Sequence, residues 1–238
     1  MQFLHRLSIE IKDYKAIMSH DNTALRDHMV WSQIEPDGVQ DSKVLEAFRK
    51  VPREAFLLPE KSFKAYLDED VRTENNRTLL APSLHARMLQ ALDITNNDIA
   101  LVIGDANGYG CCVASELAST VVQLDASQNV IARSEEHFNN MHVVNVVSTQ
   151  GDMHGGCTEH APYNVIYING AIARKPENIL KCLTDGGRCV CLIQPKPRVS
   201  GQVVLFEKVD ENNFSETPLF NAQAPYLEGF APVEEFSL

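Results

Sequence analysis

The chain has 238 residues, of which 44% are hydrophobic, and carries a formal net charge of −11 at pH 7. That length supports one large hydrophobic core but hardly two, so we expect a single domain over residues 1–238. The acidic charge argues against nucleic acid and anionic membranes as partners, because both bind basic surfaces and the chain offers only the scattered QPKPR at 194–198. No apolar run approaches the length of a membrane span, and charges interrupt the N-terminal MQFLHRLSIEIKDYK where a signal peptide would be apolar, so we expect a cytoplasmic protein.

The first part of the chain, 1–97, has the apolar periodicity of helices. We predict helices over TALRDHMVWSQI and over SKVLEAFRKV, the second ended by Pro52. A third helix is predicted to open at Pro82 in PSLHARMLQALD, since proline suits the first turn of a helix.

From residue 98 onward, short apolar runs alternate with helical stretches. Runs that are apolar almost throughout indicate strands covered on both faces by crossover helices. We therefore predict a doubly wound α/β core over 98–238 with a mostly parallel sheet. The predicted strands are IALVI, VVQLD, VVNVVS, YNVIYI, RCVCLIQ, QVVLFEKV and SETPLF, the predicted helices are GYGCCVASELAS, SQNVIARSEEHF and KPENILKCL, and DGG at 185–187 is a predicted turn.

A glycine-rich stretch, VIGDANGYG at 102–110, follows the first of these strands. In doubly wound sheets, ligands bind at the carboxyl ends of the strands, above all at the first strand-to-helix turn. Gly104 and Gly108 would let the backbone approach a ligand there, and the following helix offers free N–H groups. Asp125 ends the next strand about 20 residues downstream, where an acid can hydrogen-bond the ribose hydroxyls of an adenosine cofactor.

Asp105, in the middle of this turn, helps to distinguish between adenosine cofactors. A dinucleotide would place its pyrophosphate beside the carboxylate, at a cost of ~1 kcal/mol or more. S-adenosylmethionine has no phosphate and carries a sulfonium and an ammonium group, so the acidic turn favours the methyl donor. A nicotinamide dehydrogenase is disfavoured for the same reason, and because the third glycine is not at its usual spacing.

Six cysteines, at 111, 112, 157, 182, 189 and 191, fall mostly in apolar segments and are expected to be buried and reduced. His154, Cys157 and His160 form H-x-x-C-x-x-H close to Asp152. The spacing matches no common zinc pair and no second ligand pair follows, so we predict no metal site.

Several motifs together resemble the protein-L-isoaspartate O-methyltransferase family, particularly its divergent bacterial members, over roughly 24–230. The segment VPREAF followed by T-x-x-A-P is the most specific part of the match, and MVWSQI, DGVQDSKVLEAFRK, the GDM at 151–153, APYNVIYINGA and LTDGGRCV add to it. The resemblance implies a seven-stranded Rossmann-like sheet with one antiparallel strand near the C-terminus, S-adenosylmethionine as cofactor, and a substrate cleft covered by the N-terminal helices. It also implies a protein or peptide substrate and, as the leading activity, methylation of the carboxyl group of damaged aspartyl residues; the oligomeric state stays open.

The family's motifs also assign site residues. By position, Gly104, Gly108 and Tyr109 line the cofactor turn that contains Asp105, and Asp125 holds the ribose. Asp152 and Met153 face the adenine by the same resemblance. Tyr109 could equally be ordinary helix packing, and Asp152 an ordinary turn residue.

The turn departs from the family at two positions. Val102 stands where the family usually has an acid, and Ala106 where it usually has a second glycine. If the backbone at 106 needs a positive φ, alanine costs on the order of 1 kcal/mol. These departures leave open a non-catalytic relative that acts as a binding or scaffold protein.

The substrate segment, 76–82, departs at its serine. It keeps Thr78 and Pro82 of the family's G-x-T-x-S-x-P but has Leu80 where the serine helps to seat the substrate carboxylate. A carboxylate against leucine loses a charge-assisted hydrogen bond of ~1.5–3 kcal/mol, which leaves open a methyltransferase with another acceptor in a more apolar cleft. Arg77 and Thr78 could supply replacement donors, although Arg77 is expected on a solvated face, and His85 is expected in the core.

Overall fold

Residues 22–211 and 213–233 are described by a computed structural model, and the N-terminal stretch judged above for a targeting signal lies outside them. Short helices and turns build the chain before the sheet. They are α1 (Thr23–Met29), a π-helical turn (Val30–Ile34), α2 (Ser42–Lys50), two 3-10 turns (Arg53–Phe56 and Pro59–Lys64), the two-stranded hairpin of β1 (Val71–Arg72) and β2 (Thr78–Leu79), and α3 (Pro82–Ala91).

The helix boundaries follow local chemistry. Asp41 caps α2 by accepting a hydrogen bond from the Lys43 N–H at 2.8 Å, and the helix ends before Pro52. α3 begins with Pro82 at its first position, as predicted.

Seven strands form one sheet in the order β5-β4-β3-β6-β7-β8-β9. They are β3 (Ile99–Ile103), β4 (Thr120–Asp125), β5 (Val146–Gln150), β6 (Tyr163–Ile172), β7 (Leu183–Ile193), β8 (Gly201–Lys208) and β9 (Phe214–Ala222), with α4 (Tyr109–Ser115), α5 (Gln128–Asn140) and α6 (Glu177–Leu180) between strands. Neighbours from β5 to β7 pair in parallel, whereas β8 is antiparallel to both β7 and β9. The predicted seven-stranded, mostly parallel sheet with one antiparallel strand is confirmed.

Strand β3 shows why the strand sequences are apolar throughout. Val102 packs into a hydrophobic cluster on one face of the sheet, and Leu101 and Ile103 pack into a second cluster on the other. Successive side chains of a strand point to opposite faces, so both faces of β3 are buried. The first cluster contains residues from Met29 to Ala224 and so joins the early helices to the sheet.

Two elements differ from the prediction. The DGG segment, predicted as a turn, lies inside β7, where the pairing with β6 jumps from Leu183 to Arg188. Gly186 has φ +72° with open space around it, so the extra residues bulge out of the ladder and the strand continues. The strand predicted over VVNVVS begins later, at Val146.

None of the helices within 22–211 and 213–233 is long and apolar enough to cross a membrane.

Candidate cofactor and substrate site

The glycine turn lies at the carboxyl end of β3, in the middle of the sheet. Gly104 and Gly108 both have positive φ values, +75° and +94°, which favour glycine. A Cβ on Gly108 would come within 3.0 Å of two ring carbons of Phe138 on α5. Gly108 is therefore needed for the close packing of α5 on the turn, whatever the turn binds.

Asp105 points into the turn instead of into the cleft. Its carboxylate is fully buried and accepts hydrogen bonds from the N–H groups of Ala106, Gly110 and Cys111 at 2.7–2.8 Å. Burial raises the pKa of Asp105, while these backbone hydrogen bonds work against that rise. The prediction that the Asp105 side chain lies in the cofactor site is wrong, because backbone hydrogen bonds hold its carboxylate at the start of α4.

Ala106 does not strain the backbone of the turn. Among the non-glycine residues of the turn it is Asn107, not Ala106, that has a positive φ, +55°. Asparagine tolerates this left-handed region better than most residues, so the expected penalty at Ala106 does not arise. Val102 lies in the middle of β3 and is fully buried in the core.

Tyr109 also faces away from the cleft. Its ring is fully buried and packs edge-on against Phe48, Phe56 and His85, with the Arg53 guanidinium 5.1 Å from the ring centroid. The prediction that its side chain lines the cofactor turn is wrong, since the first turn of α4 directs it into this aromatic cluster. The alternative of ordinary helix packing is correct.

His85 lies in the core, as predicted. It stacks on Tyr167 with ring centroids 5.1 Å apart, and neither ring nitrogen has a hydrogen-bond partner in the part of the chain that the structure describes. Burial, reinforced by the charge of Arg53, lowers the pKa of His85 to about 3, so the imidazole is neutral at physiological pH.

Asp125 ends β4 beside the glycine turn, and its carboxylate is already paired. Arg77 donates from Nε to Oδ2 at 2.8 Å and from Nη2 to Oδ1 at 2.6 Å, a two-pronged ion pair in which the side chains are 2% and 0% exposed. The third nitrogen, Nη1, donates to Glu228 Oε2 at 2.6 Å. The expectation that Arg77 lies on a solvated face is wrong, because two carboxylates draw the guanidinium into the cleft.

The space over Gly104 is filled by a segment that follows β9. A Cβ on Gly104 would lie within 3.0 Å of three carbons of the Leu227 side chain, which is 4% exposed. The void left between Arg77, Thr78, Gly104, Asn169 and residues 225–228 is about 10 Å³, room for no more than one water molecule.

Asp152 and Met153 line the other end of the same cleft. A cavity of about 280 Å³ lies between them and the loop of Ala126 and Ser127 after β4, and Arg77, Glu228 and Gly229 line its other side. Met153 is 4% exposed and Asp152 lies at the surface, where its Oδ1 accepts a hydrogen bond from the His154 N–H. Their assignment to the adenine base stays a prediction, and this open end is where it would bind.

The substrate segment crosses the cleft on β2 and enters α3. Thr78 is half-buried and lines the small void over Gly104, whereas Leu80 is 1% exposed and packs in the hydrophobic core. Arg53 holds this segment in place by donating from Nη2 to the Leu80 carbonyl oxygen at 2.5 Å. The expectation that Leu80 gives the cleft an apolar wall is therefore wrong.

The residues of H-x-x-C-x-x-H do not converge. The Cys157 residue is buried, His154 stacks on Phe230 with centroids 4.0 Å apart, and His160 lies at the surface. Within 22–211 and 213–233, no three His, Cys, Asp or Glu side chains are arranged to hold a metal ion.

Known proteins are similar to this chain in both sequence and fold. The family model described as "Protein-L-isoaspartate(D-aspartate) O-methyltransferase (PCMT)" matches residues 24–223. The chain belongs to the protein-L-isoaspartate(D-aspartate) O-methyltransferase family. S-adenosylmethionine is the cofactor of this family of enzymes, which confirms the predicted cofactor class.

Individual relatives agree with this assignment. A protein-L-isoaspartate O-methyltransferase of Protochlamydia amoebophila is 32% identical over 201 residues, which cover 84% of this chain and 95% of the relative. One from Anaeromyxobacter sp. is 33% identical over 208 residues, covering 87% and 80%. A solved structure named protein-L-isoaspartate O-methyltransferase has a TM-score of 0.75 at 25% identity, covering 87% of this chain and 67% of that chain. The fold is shared further with a Plasmodium falciparum structure described as a putative member in complex with S-adenosyl-L-homocysteine, at a TM-score of 0.71, 16% identity and coverage of 85% and 98%.

The residues present fit the family's cofactor at one end of the cleft only. The cavity beside Asp152 and Met153 has space for a planar base. At the other end, Arg77 occupies both oxygens of Asp125 and Leu227 covers Gly104, so the arrangement does not fit a nucleoside there. Sequence reasoning named Arg77 as a possible donor but expected it on a solvated face, and it did not single out Leu227, although the apolar APYLEGF after the last strand was an available signal that this segment packs on the domain.

Proposed function

We propose that this protein transfers a methyl group from S-adenosylmethionine to the carboxylate of isoaspartyl residues in proteins or peptides. Membership of the family over residues 24–223 supports the reaction class. The observation that carries the proposal to this chain is Thr78, a hydroxyl donor on the segment that crosses the cleft beside Gly104 and Asn169.

Methyl transfer to a carboxylate requires little acid or base catalysis, because the nucleophile is already ionised. The cofactor, when bound, supplies an activated methyl group. The protein must hold the acceptor oxygen in line with that methyl group, which is an effect of proximity and orientation. Thr78 can donate a hydrogen bond to one carboxylate oxygen and leave the other free to react.

The grounds for the alternative functions weaken in the folded chain. Leu80 lies in the core, so it no longer indicates an apolar acceptor. Ala106 has no positive φ and Val102 is an ordinary core residue, so neither indicates a turn that has lost its function. We therefore place no second function beside the methyltransferase.

The test compares labelled methyl transfer to paired peptides that contain isoaspartate or aspartate at one position. We expect transfer to the isoaspartyl peptide only. Thr78→Val keeps the shape but removes the donor, and should lower the rate about 10- to 100-fold, the equivalent of one charge-assisted hydrogen bond. Thr78→Ser, which keeps the hydroxyl, is the matched control and should retain most of the activity.

Leu80→Ser would not test the same point. Because Leu80 is buried in the core, a serine there removes packing and places its hydroxyl outside the cleft. A wild-type protein that binds S-adenosylhomocysteine but methylates neither peptide would reject isoaspartyl residues as the acceptor.

A further inference from the structure

The segment 224–230, here called the strap, is docked on the end of β6 by its main chain. The Ala171 N–H donates to the Pro225 carbonyl at 3.0 Å, and the Leu227 N–H donates back to the Ala171 carbonyl at 2.9 Å. Two residues after Ala171, the Ala173 N–H donates to the Phe230 carbonyl at 2.9 Å. The strap therefore continues the sheet's hydrogen bonding across the mouth of the cleft.

The strap has two distinct sides. Ala224, Leu227 and Phe230, three residues apart, are 4–8% exposed and point inward. Glu228 and Gly229 are exposed between them, and Gly229 has φ +84°. Inward side chains spaced in this way attach the segment to the domain without burying its full length.

The strap and a bound nucleoside compete for the same two contacts. The first is Asp125, whose two oxygens are held by Arg77 while Glu228 of the strap holds the third nitrogen of that guanidinium. The second is the open face of Gly104, which the Leu227 side chain covers. A ligand whose ribose hydrogen-bonds Asp125 and whose other end passes over Gly104 cannot bind while Arg77 pairs with Asp125 and Leu227 covers Gly104.

We propose that the strap is a removable cover of the cofactor site, with the Arg77–Glu228 ion pair as its latch. Binding of an S-adenosyl ligand displaces the strap and releases Arg77 from Asp125, while the cavity beside Asp152 and Met153 is available before the strap opens. This inference rests on the proposed function, because it takes an S-adenosyl compound as the occupant. The apparent dissociation constant then equals the intrinsic one divided by the fraction of open molecules, so weakening the latch tightens binding.

Calorimetric titration of the full chain with S-adenosylhomocysteine tests the cover. Glu228→Gln removes the exposed charge of this ion pair and should tighten binding about 2- to 5-fold. Leu227→Ala removes the inward side chain over Gly104 and should tighten it about 10- to 100-fold. The matched controls are Glu136→Gln, in the exposed pair with Arg133, and Leu219→Ala on β9, neither of which should change the affinity.

Hydrogen exchange gives a readout that is independent of turnover. On saturation with S-adenosylhomocysteine, the amides of Ala171 and Leu227 should exchange faster, because their hydrogen bonds join the strap to β6. Equal affinity in wild type and both strap variants, weaker binding in Glu228→Gln, or slower exchange at these amides would overturn the cover while leaving the cofactor assignment intact. Binding by the variants but not by wild type would support it, and no binding by any of them would reject the cofactor site together with the cover.

Discussion

The floor and the cover of the cofactor cleft are built differently. The floor is the glycine turn with the aromatic cluster beneath it, where Asp105 accepts three backbone hydrogen bonds and Tyr109 is fully buried. The cover is the strap, whose Leu227 side chain lies over Gly104 of the floor and whose Glu228 accepts a hydrogen bond from Arg77. The floor is buried in the core, whereas the cover touches it at separable contacts. This difference teaches that a cleft whose turn keeps the positive-φ glycines Gly104 and Gly108 can still have its binding end closed.

The largest effect on stability is expected at Asp125, whose partner Arg77 is also bound by Glu228 of the cover. Asp125→Ala leaves the Arg77 guanidinium, which is 2% exposed, with the exposed Glu228 as its one ion-pair partner among the described residues. Removing one member of a buried ion pair costs roughly 3–5 kcal/mol, so the free energy of unfolding in urea should fall by about that amount.

Two further variants sharpen this result. The double variant Asp125→Ala with Arg77→Leu removes both charges of this pair and should recover most of the loss. Glu136→Ala breaks an exposed pair with Arg133 and should cost less than about 1 kcal/mol. A single Asp125→Ala variant as stable as wild type would show that this pair is not formed in solution.

The floor should also respond to acid through His85. Burial lowers its pKa to about 3, against an ordinary value of 6.5, so between these values the unfolded chain binds more protons than the folded one. Stability should therefore fall by about 2 kcal/mol from pH 7 to pH 5, and continue to fall toward the folded pKa.

The variant His85→Leu should remove this part of the pH dependence. Burial also lowers the pKa of His137, which contributes with the same sign and should remain. His142→Asn, at the surface, is the control and should keep the wild-type pH profile of urea unfolding. A His85→Leu profile that matches wild type would mean that His85 is hydrated in the folded protein.

The smallest effect on stability is expected where Leu227 of the cover contacts Gly104 of the floor. Gly104→Ala and Gly186→Ala place a side chain at similar φ values, +75° and +72°, but only Gly104 has neighbours within reach of the new Cβ. The excess loss of stability at Gly104 should be about 1 kcal/mol, at the low end of overpacking costs, because a leucine side chain can move.

The Leu227→Ala background shows whether Leu227 causes the excess loss of stability of Gly104→Ala over Gly186→Ala. In that background the difference between the two glycine variants should vanish, because Leu227 supplies the crowding. An excess that persists would place the strain in the turn itself and not in the cover.

The sequence by itself determined the sheet and the place of the glycine turn in it. Apolar strands such as IALVI, separated by helical stretches, require burial on both faces, and this fixes a parallel, doubly wound sheet with the turn at 102–110 at its centre. Pro82 at the start of α3 and the positive-φ glycines of the turn follow from backbone chemistry that is local to a few residues.

Only the tertiary structure decided what fills the cleft. Arg77 and Asp125 are 48 residues apart, and Arg77 and Glu228 are 151 apart, so no local pattern indicates that they meet. Similarly, the directions of Asp105, Tyr109 and Leu80 depend on which neighbours the folded chain brings to each of them. Backbone preferences act within a few residues, whereas ion pairs and packing depend on surfaces that exist only after the chain has folded, and it is these contacts that close one end of the cofactor cleft.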